Sequence, residues 1–139
     1  MPNPVVHFEV IGEDGTKLQE FYSTVFAWKI NADNPMSYGM VSGDTEHGGI
    51  GGGISGGAGD GGGRGVTFYI EVASLEDTLK QVEQAGGRTL MSPDDVPGGP
   101  RMAQFEDPQG NRIGLVQAGS MQGGNQNQNR TANQSQNPN

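Results

Sequence analysis

His7, Glu9, Thr67, Tyr69 and Glu71 are the side chains of this sequence best placed to do chemistry. They alternate with Val6, Phe8 and Val10 in one stretch, and with Val66, Phe68, Ile70 and Val72 in another. In an extended strand, alternate residues share a face. Each stretch therefore predicts one continuous apolar face and one face of functional groups. Arg112 and Gly114 join the functional face from the last strand of the chain. An ordinary solvent face favours Lys, Glu and Thr. A histidine, two carboxylates and a phenol suit ligand binding better. An imidazole can hydrogen-bond or ligate a metal, and a carboxylate can serve as a base once a substrate is defined. Plainer readings compete. His7 can be a hydrogen-bonded histidine lining a pocket. Glu9 and Glu71 can be solvated or paired with Arg101 or Arg112. Trp28, Tyr38 and Tyr69 can stack on a planar ligand or sit as amphipathic aromatics at an edge. His47, beside Glu46, reads as a loop residue.

The elements that must position these groups are legible as two rounds of strand, helix, strands. Residues 5–11 read as the first strand. Leu18, Phe21, Tyr22, Val25 and Phe26 recur at helical spacing from Thr16 to Phe26, with Asp14 or Thr16 as cap. Short strands are expected around Trp28–Ala32, Tyr38–Ser42 and Gly48–Ile54. Residues 66–72 read as a strand. A second helix follows, with Ser74 as N-cap, Asp77 three residues on, and Leu75, Leu79 and Val82 as its apolar stripe. Gly86-Gly87 ends it. Strands at Arg88–Met91, Arg101–Glu106 and Asn111–Gln117 complete the set. Between the last two, Asp107-Pro108 opens a tight turn and Gly110-Asn111 closes it. The two helices are expected to cover the apolar faces of the first and fifth strands.

Composition narrows the function classes. The chain has 139 residues, a net charge of −8 and no cysteine. That excludes disulfides, thiolate catalysis and Cys-ligated metal. No Lys/Arg cluster exists to meet a phosphate backbone or an anionic lipid surface, so neither nucleic acid nor membrane is an expected partner. No signal-like or spanning apolar run is present, and the expected location is cytoplasmic. Residues 48–65 are mostly glycine and read as a flexible connection. A phosphate loop would need a following Gly-Lys-Ser/Thr, which is missing. From Ala118 to Asn139 the chain is mostly Gln, Asn, Gly and Ser. It is expected to be a disordered tail, because it lacks apolar surface to offset its ordering entropy.

Several of these segments together resemble the glyoxalase/bleomycin-resistance/dioxygenase family, also called the vicinal oxygen chelate family. They are Val6-His7-Phe8-Glu9-Val10, Phe21-Tyr22 with Val25-Phe26-Ala27-Trp28, Gly86-Gly87, Pro97-Gly98-Gly99-Pro100-Arg101-Met102 and Asp107-Pro108-Gln109-Gly110-Asn111. Ala27 stands where a glycine usually precedes the aromatic. The resemblance covers roughly residues 4–117. It implies an α+β fold of two βαβββ modules, about 4–54 and 66–117, with curved mixed sheets whose concave faces form a cleft. The cleft lies within one chain, in a monomer with both modules paired, or across a homodimer, which is the expectation because many relatives of this size pair their sheets between chains.

In metal-using members, the ligands come from the first and last strands of each module. His7 matches the first such position. Thr67 falls where a second histidine is common, and Gly114 where a glutamate is common. The remaining position lies within Gly48–Ile54, which offers no donor side chain. A divalent metal wants at least three protein ligands. A relocated site would have to use His7, Glu9 and Glu71, with ligands shifted by roughly 6–7 Å along a strand. The expectation is therefore a binder of small organic molecules with a degenerate metal site and no cofactor, using His7, Glu9, Trp28, Thr67, Tyr69, Glu71 and Arg112. The alternative is a metal-dependent lyase, isomerase or dioxygenase with a rearranged site.

Overall fold

The computed structural model describes residues 2–56 and 64–121. The middle of the glycine connection, 57–63, and the tail from 122 lie outside the described residues. Two compact units are present. One spans Val5–Tyr69, and the other runs from Ile70 onward and includes the residues before Val5.

The first unit opens with β1 (Val5–Ile11) and α1 (Gly15–Phe26). Asp14 caps α1 by accepting the Lys17 backbone N–H at 3.1 Å. Strands β2 (Ile30–Asn31), β3 (Gly39–Val41) and β4 (Gly51–Ser55) follow, and β5 (Gly65–Val72) runs from this unit into the next. The strand order is β2-β3-β4-β1-β5. β4 lies parallel to β1, with Glu9 opposite Gly53, and antiparallel to β3. The strand expected over Gly48–Ile54 thus starts three residues later, after a short 3-10 turn at Thr45–His47.

The second unit continues from β5 through α2 (Leu75–Gln84), β6 (Arg88–Asp95), β7 (Arg101–Glu106) and β8 (Arg112–Gln117), in the order β5-β8-β7-β6. Ser74 caps α2 through its hydroxyl, which accepts the Asp77 N–H at 3.1 Å. Gly86, at φ +101, lets the chain leave the helix. β6 is longer than expected and includes Pro93. As an edge strand it tolerates a residue with no N–H to give. The β7–β8 turn follows its residue code. The Asp107 carboxylate accepts from the backbone of Gln109 and Asn111 and from the Asn111 amide, at 2.9–3.0 Å. Those hydrogen bonds, the Asn111 side chain first, hold its carboxyl below the ordinary range. Past β8, Ala118 donates to the Val72 carbonyl and Ser120 accepts the Arg101 N–H, both at 2.8 Å.

The helices do not perform equally. α2 buries Leu75 and Leu79 against Val72, Ala103 and Leu115, with Ile70 and Phe105 packed alongside. This covers the apolar face of the second half of β5, as expected. α1 buries no residue, and Phe21, Val25 and Phe26 remain more than half exposed. Val66 is 75% and Phe68 41% exposed, whereas Thr67 and Tyr69 are buried. In the first half of β5, the face expected to be covered is therefore the exposed one. The hydroxyl-bearing face is buried because its groups find partners there, and α1 offers no apolar side chain that closes over Val66 and Phe68.

Candidate functional site

Glu9 is the centre of the first unit's polar interior. It is only 7% exposed. A buried carboxylate is costly unless hydrogen-bonded. Glu9 meets that requirement through two phenols: Tyr38 donates to Oε2 at 3.0 Å and Tyr69 to Oε1 at 3.2 Å. Glu9 is thus not the solvated glutamate of the plainer reading. Arg101, offered as its partner or that of Glu71, instead pairs with Glu76 at 2.7 Å and with Gln117 at 3.1 Å. His7, two residues along the same face of β1, is half-buried, and its Nε2 lies 3.0 Å from the Tyr38 hydroxyl. Its ring stacks with Tyr38 at 6.4 Å and meets Tyr69 edge-on at 5.6 Å. Burial pushes the His7 imidazole below its ordinary value, favouring the neutral form.

Tyr38 is the member that spacing did not reveal as part of this cluster. It lies on no alternating strand pattern and reaches the site through the β2–β3 loop. Asn34 acts there as a surrogate strand, accepting the Tyr38 N–H at 2.9 Å and donating to its carbonyl at 2.7 Å. Ser37 takes φ +53, a left-handed conformation that non-glycine residues seldom adopt. Gln19 from α1 ties the loop to β4 by donating to Ser37 O at 3.2 Å and Ile54 O at 2.8 Å.

The glycines of β4 make room for this arrangement. A Cβ on Gly53 would lie 1.8 Å from the Tyr38 hydroxyl oxygen, and one on Gly52 would lie 2.4 Å from the Phe8 ring. Both are buried. The glycine run is therefore a strand whose missing side chains are replaced by aromatic rings from elsewhere. Only its continuation, residues 57–63, falls outside the described part.

The other expected site residues are distributed more widely. Thr67 is buried, two residues before Tyr69 and on the same face of β5. Trp28 joins a different cluster, stacking on Tyr22 at 5.3 Å and touching Phe26 and Phe8. It is packed among aromatics and not free at an edge. Glu71 and Arg112 belong to the second unit. Glu71 is half-buried on β5, and Arg112 is half-buried at the start of β8, in register with Glu106. Gly114 is buried in the middle of β8.

The residues around His7 do not fit a divalent metal. Nε2 is engaged by Tyr38, both Glu9 oxygens accept phenols, and the facing β4 position has no side chain. Among the described residues, one other group could bring three donors together: Asp44, Glu46 and His47. All three are exposed. Asp44 serves there as the cap of the 3-10 turn, accepting from Glu46 N, His47 N and His47 Nδ1 at 2.6–3.2 Å. No helix among the described residues is long and apolar enough to cross a membrane.

A family model described as "Glyoxalase/Bleomycin resistance protein/Dioxygenase superfamily" matches residues 5–115. Among solved structures, the chain resembles a Streptomyces coelicolor methylmalonyl-CoA epimerase variant in complex with 2-nitronate-propionyl-CoA. That match has 19% identity and a TM-score of 0.59, covering 87% of this chain and 99% of that one. It also resembles a Legionella pneumophila protein described as an NAD-dependent benzaldehyde dehydrogenase, at 17% identity, TM-score 0.61, and 83% and 97% coverage. A third is a glyoxalase/bleomycin resistance protein/dioxygenase superfamily member from Vibrio splendidus 12B01, at 18% identity, TM-score 0.56, and 84% and 99% coverage. At these identities the likeness is one of fold. No curated protein matches.

Proposed function

We propose that this chain, which belongs to the glyoxalase/bleomycin resistance protein/dioxygenase superfamily, binds a small organic molecule and has given up the metal site of its metal-using relatives. The observation that carries this reading is Tyr38 over Gly53. The room opposite Glu9, where a β4 side chain would stand, is filled by a phenol that engages both Glu9 and His7. Both Glu9 oxygens and His7 Nε2 are already engaged by phenols, which leaves His7 Nδ1 as one open donor where a divalent ion wants at least three. The same groups suit an organic ligand, to which aromatic faces and hydrogen-bonding side chains offer shape and orientation. His7, Glu9, Thr67 and Tyr69 are the contacts proposed from the first unit, with Trp28, Glu71 and Arg112 as further ligand-binding residues. In this reading the protein works in the cytoplasm as a homodimer.

The test is metal analysis of purified protein, together with thermal shifts on adding nickel, zinc, manganese or iron. The expected result is no stoichiometric metal and no shift. Tight binding of any of these ions that is abolished by His7→Ala would sink the proposal. It would restore the metal-dependent lyase, isomerase or dioxygenase reading.

A further inference from the structure

Tyr38 has one hydroxyl proton, and Glu9 takes it. The carboxylate accepts from Tyr38 through Oε2 and from Tyr69 through Oε1. The Tyr38 oxygen can then meet His7 Nε2, 3.0 Å away, only as an acceptor. His7 must donate from Nε2. In a neutral imidazole one nitrogen carries the proton and the other carries the lone pair. A proton held on Nε2 leaves Nδ1 as the acceptor. Among the described residues, Nδ1 has no hydrogen-bond partner, and the ring is only half-buried. This is the reverse of the usual way a histidine is poised, in which the carboxylate touches the ring directly. Here a phenol stands between Glu9 and His7 and passes on the carboxylate's demand for a proton.

We propose that Tyr38 is a positioning residue that locks His7 in its Nε2–H tautomer and makes Nδ1 the acceptor of the binding site, so that the ligand is a molecule presenting an N–H or O–H group to His7. The construction of the β2–β3 loop supports the assignment. A double Asn34 clamp and a left-handed Ser37 hold Tyr38 in place, and Gly53 of β4 clears the space its ring needs. The ligand class rests on the binding function proposed above. The tautomer does not.

The tautomer is read first, without ligand, by long-range 1H–15N correlation of the His7 ring in the full chain at pH above neutrality. The expected signature is Nε2–H in the wild type and a mixture of tautomers in Tyr38→Phe, which keeps the ring over Gly53 but has no oxygen. A far-ultraviolet circular dichroism spectrum identical to that of the wild type establishes that this variant is folded. Should it not fold, Glu9→Gln provides the second reading, because an amide can donate to the Tyr38 oxygen and weaken the preference. An Nδ1–H tautomer in the wild type, or an unchanged tautomer in the folded variants, overturns the proposal.

Probes then test the ligand class. Phenol and benzamide, which can donate, are titrated against anisole and methyl benzoate, which cannot. The donors are expected to shift the His7 Nδ1 resonance and to bind at least about tenfold more tightly, the equivalent of roughly 1.4 kcal/mol. Equal or tighter binding of the non-donors overturns the ligand class. If none of the four perturbs the site, the ligand class is overturned along with the binding reading, while the Nε2–H tautomer stands on its own spectrum.

Discussion

In the unit that starts at Ile70, Val72, Leu75, Leu79, Ala103 and Leu115 close an aliphatic core under α2. In the unit Val5–Tyr69, Ile11, Val41 and Ile54 share the interior with Glu9, Thr67 and Tyr69, and α1 buries nothing. The order of elements is the same in both: strand, helix, strands. The same framework therefore supports two kinds of interior. The aliphatic one is held by close packing, where a lost methylene is felt directly. The other is held by hydrogen bonds around a buried carboxylate, where a lost partner leaves a polar group without compensation. An interior of the second kind is a poor way to gain stability and a good way to hold chemical groups in fixed orientation. The first unit thus holds its polar groups in fixed orientation, while the second gains its stability from aliphatic packing.

Four measurements sharpen or break the comparison. The largest effect is expected from Leu75→Ala, which opens a cavity at a side chain with 0% exposure. Chemical denaturation should show a loss of about 2–5 kcal/mol. A loss below about 1 kcal/mol would mean that α2 does not support its unit in the way described. Next comes Gly53→Val, whose Cβ would overlap the Tyr38 hydroxyl. The ring must move, at a cost of about 1–3 kcal/mol. The same variant should lose the tyrosine–His7 contact, visible as a change in the His7 ring resonances. Unaltered resonances in a stable protein would show that the site does not depend on the bare strand.

A smaller effect of opposite sign is expected at Ala27. It ends α1 at φ +59, in the left-handed region where a Cβ is unfavourable. Ala27→Gly relieves that strain and should stabilise the protein by about 0.5–1 kcal/mol, after the greater chain entropy of glycine is offset. The melting temperature should rise by a few degrees, and a fall would show that Ala27 carries no left-handed strain at the end of α1. The smallest effect concerns pH. His7 has a native pKa below its ordinary 6.5 because of burial. The unfolded chain therefore takes up a proton before the native one does. This contribution is fully present above pH about 6.5 and is lost as the pH falls from there toward the native pKa. Denaturation at pH about 7.5 and about 5.5 should show wild type losing more stability than His7→Asn. Equal losses would argue against a buried, neutral His7.

The elements of the second unit could be read almost directly from the residues. Ser74 caps, Leu75 and Leu79 form a stripe, Gly86 ends the helix, and Asp107 to Asn111 encode their turn by local hydrogen bonds. Each of these depends on residues within a few positions of one another. The family resemblance carried by those motifs agrees with the matched family model. The face assignments of the first unit were less secure. Alternation correctly grouped His7 with Glu9 and Thr67 with Tyr69, but it did not say which face of β5 is buried. Burial depends on what lies opposite, and α1 turns out to cover little. The role of Tyr38 was hidden for a similar reason. Its hydroxyl lies 3.0 Å from a residue 29 positions earlier in the chain, and neither residue carries a local signal of the other.

Residue types and spacing alone determined the sequence of strands and helices, the caps and the turn, because those follow from short-range sterics and backbone hydrogen bonding. They also placed an imidazole and a carboxylate on one face of β1, and left the first three positions of β4 without side chains. What filled the space above those glycines was decided only by tertiary structure. A bare strand specifies room but not its occupant. The β2–β3 loop delivers Tyr38 over Gly53, and its phenol joins His7 and Glu9 in one hydrogen-bonded cluster.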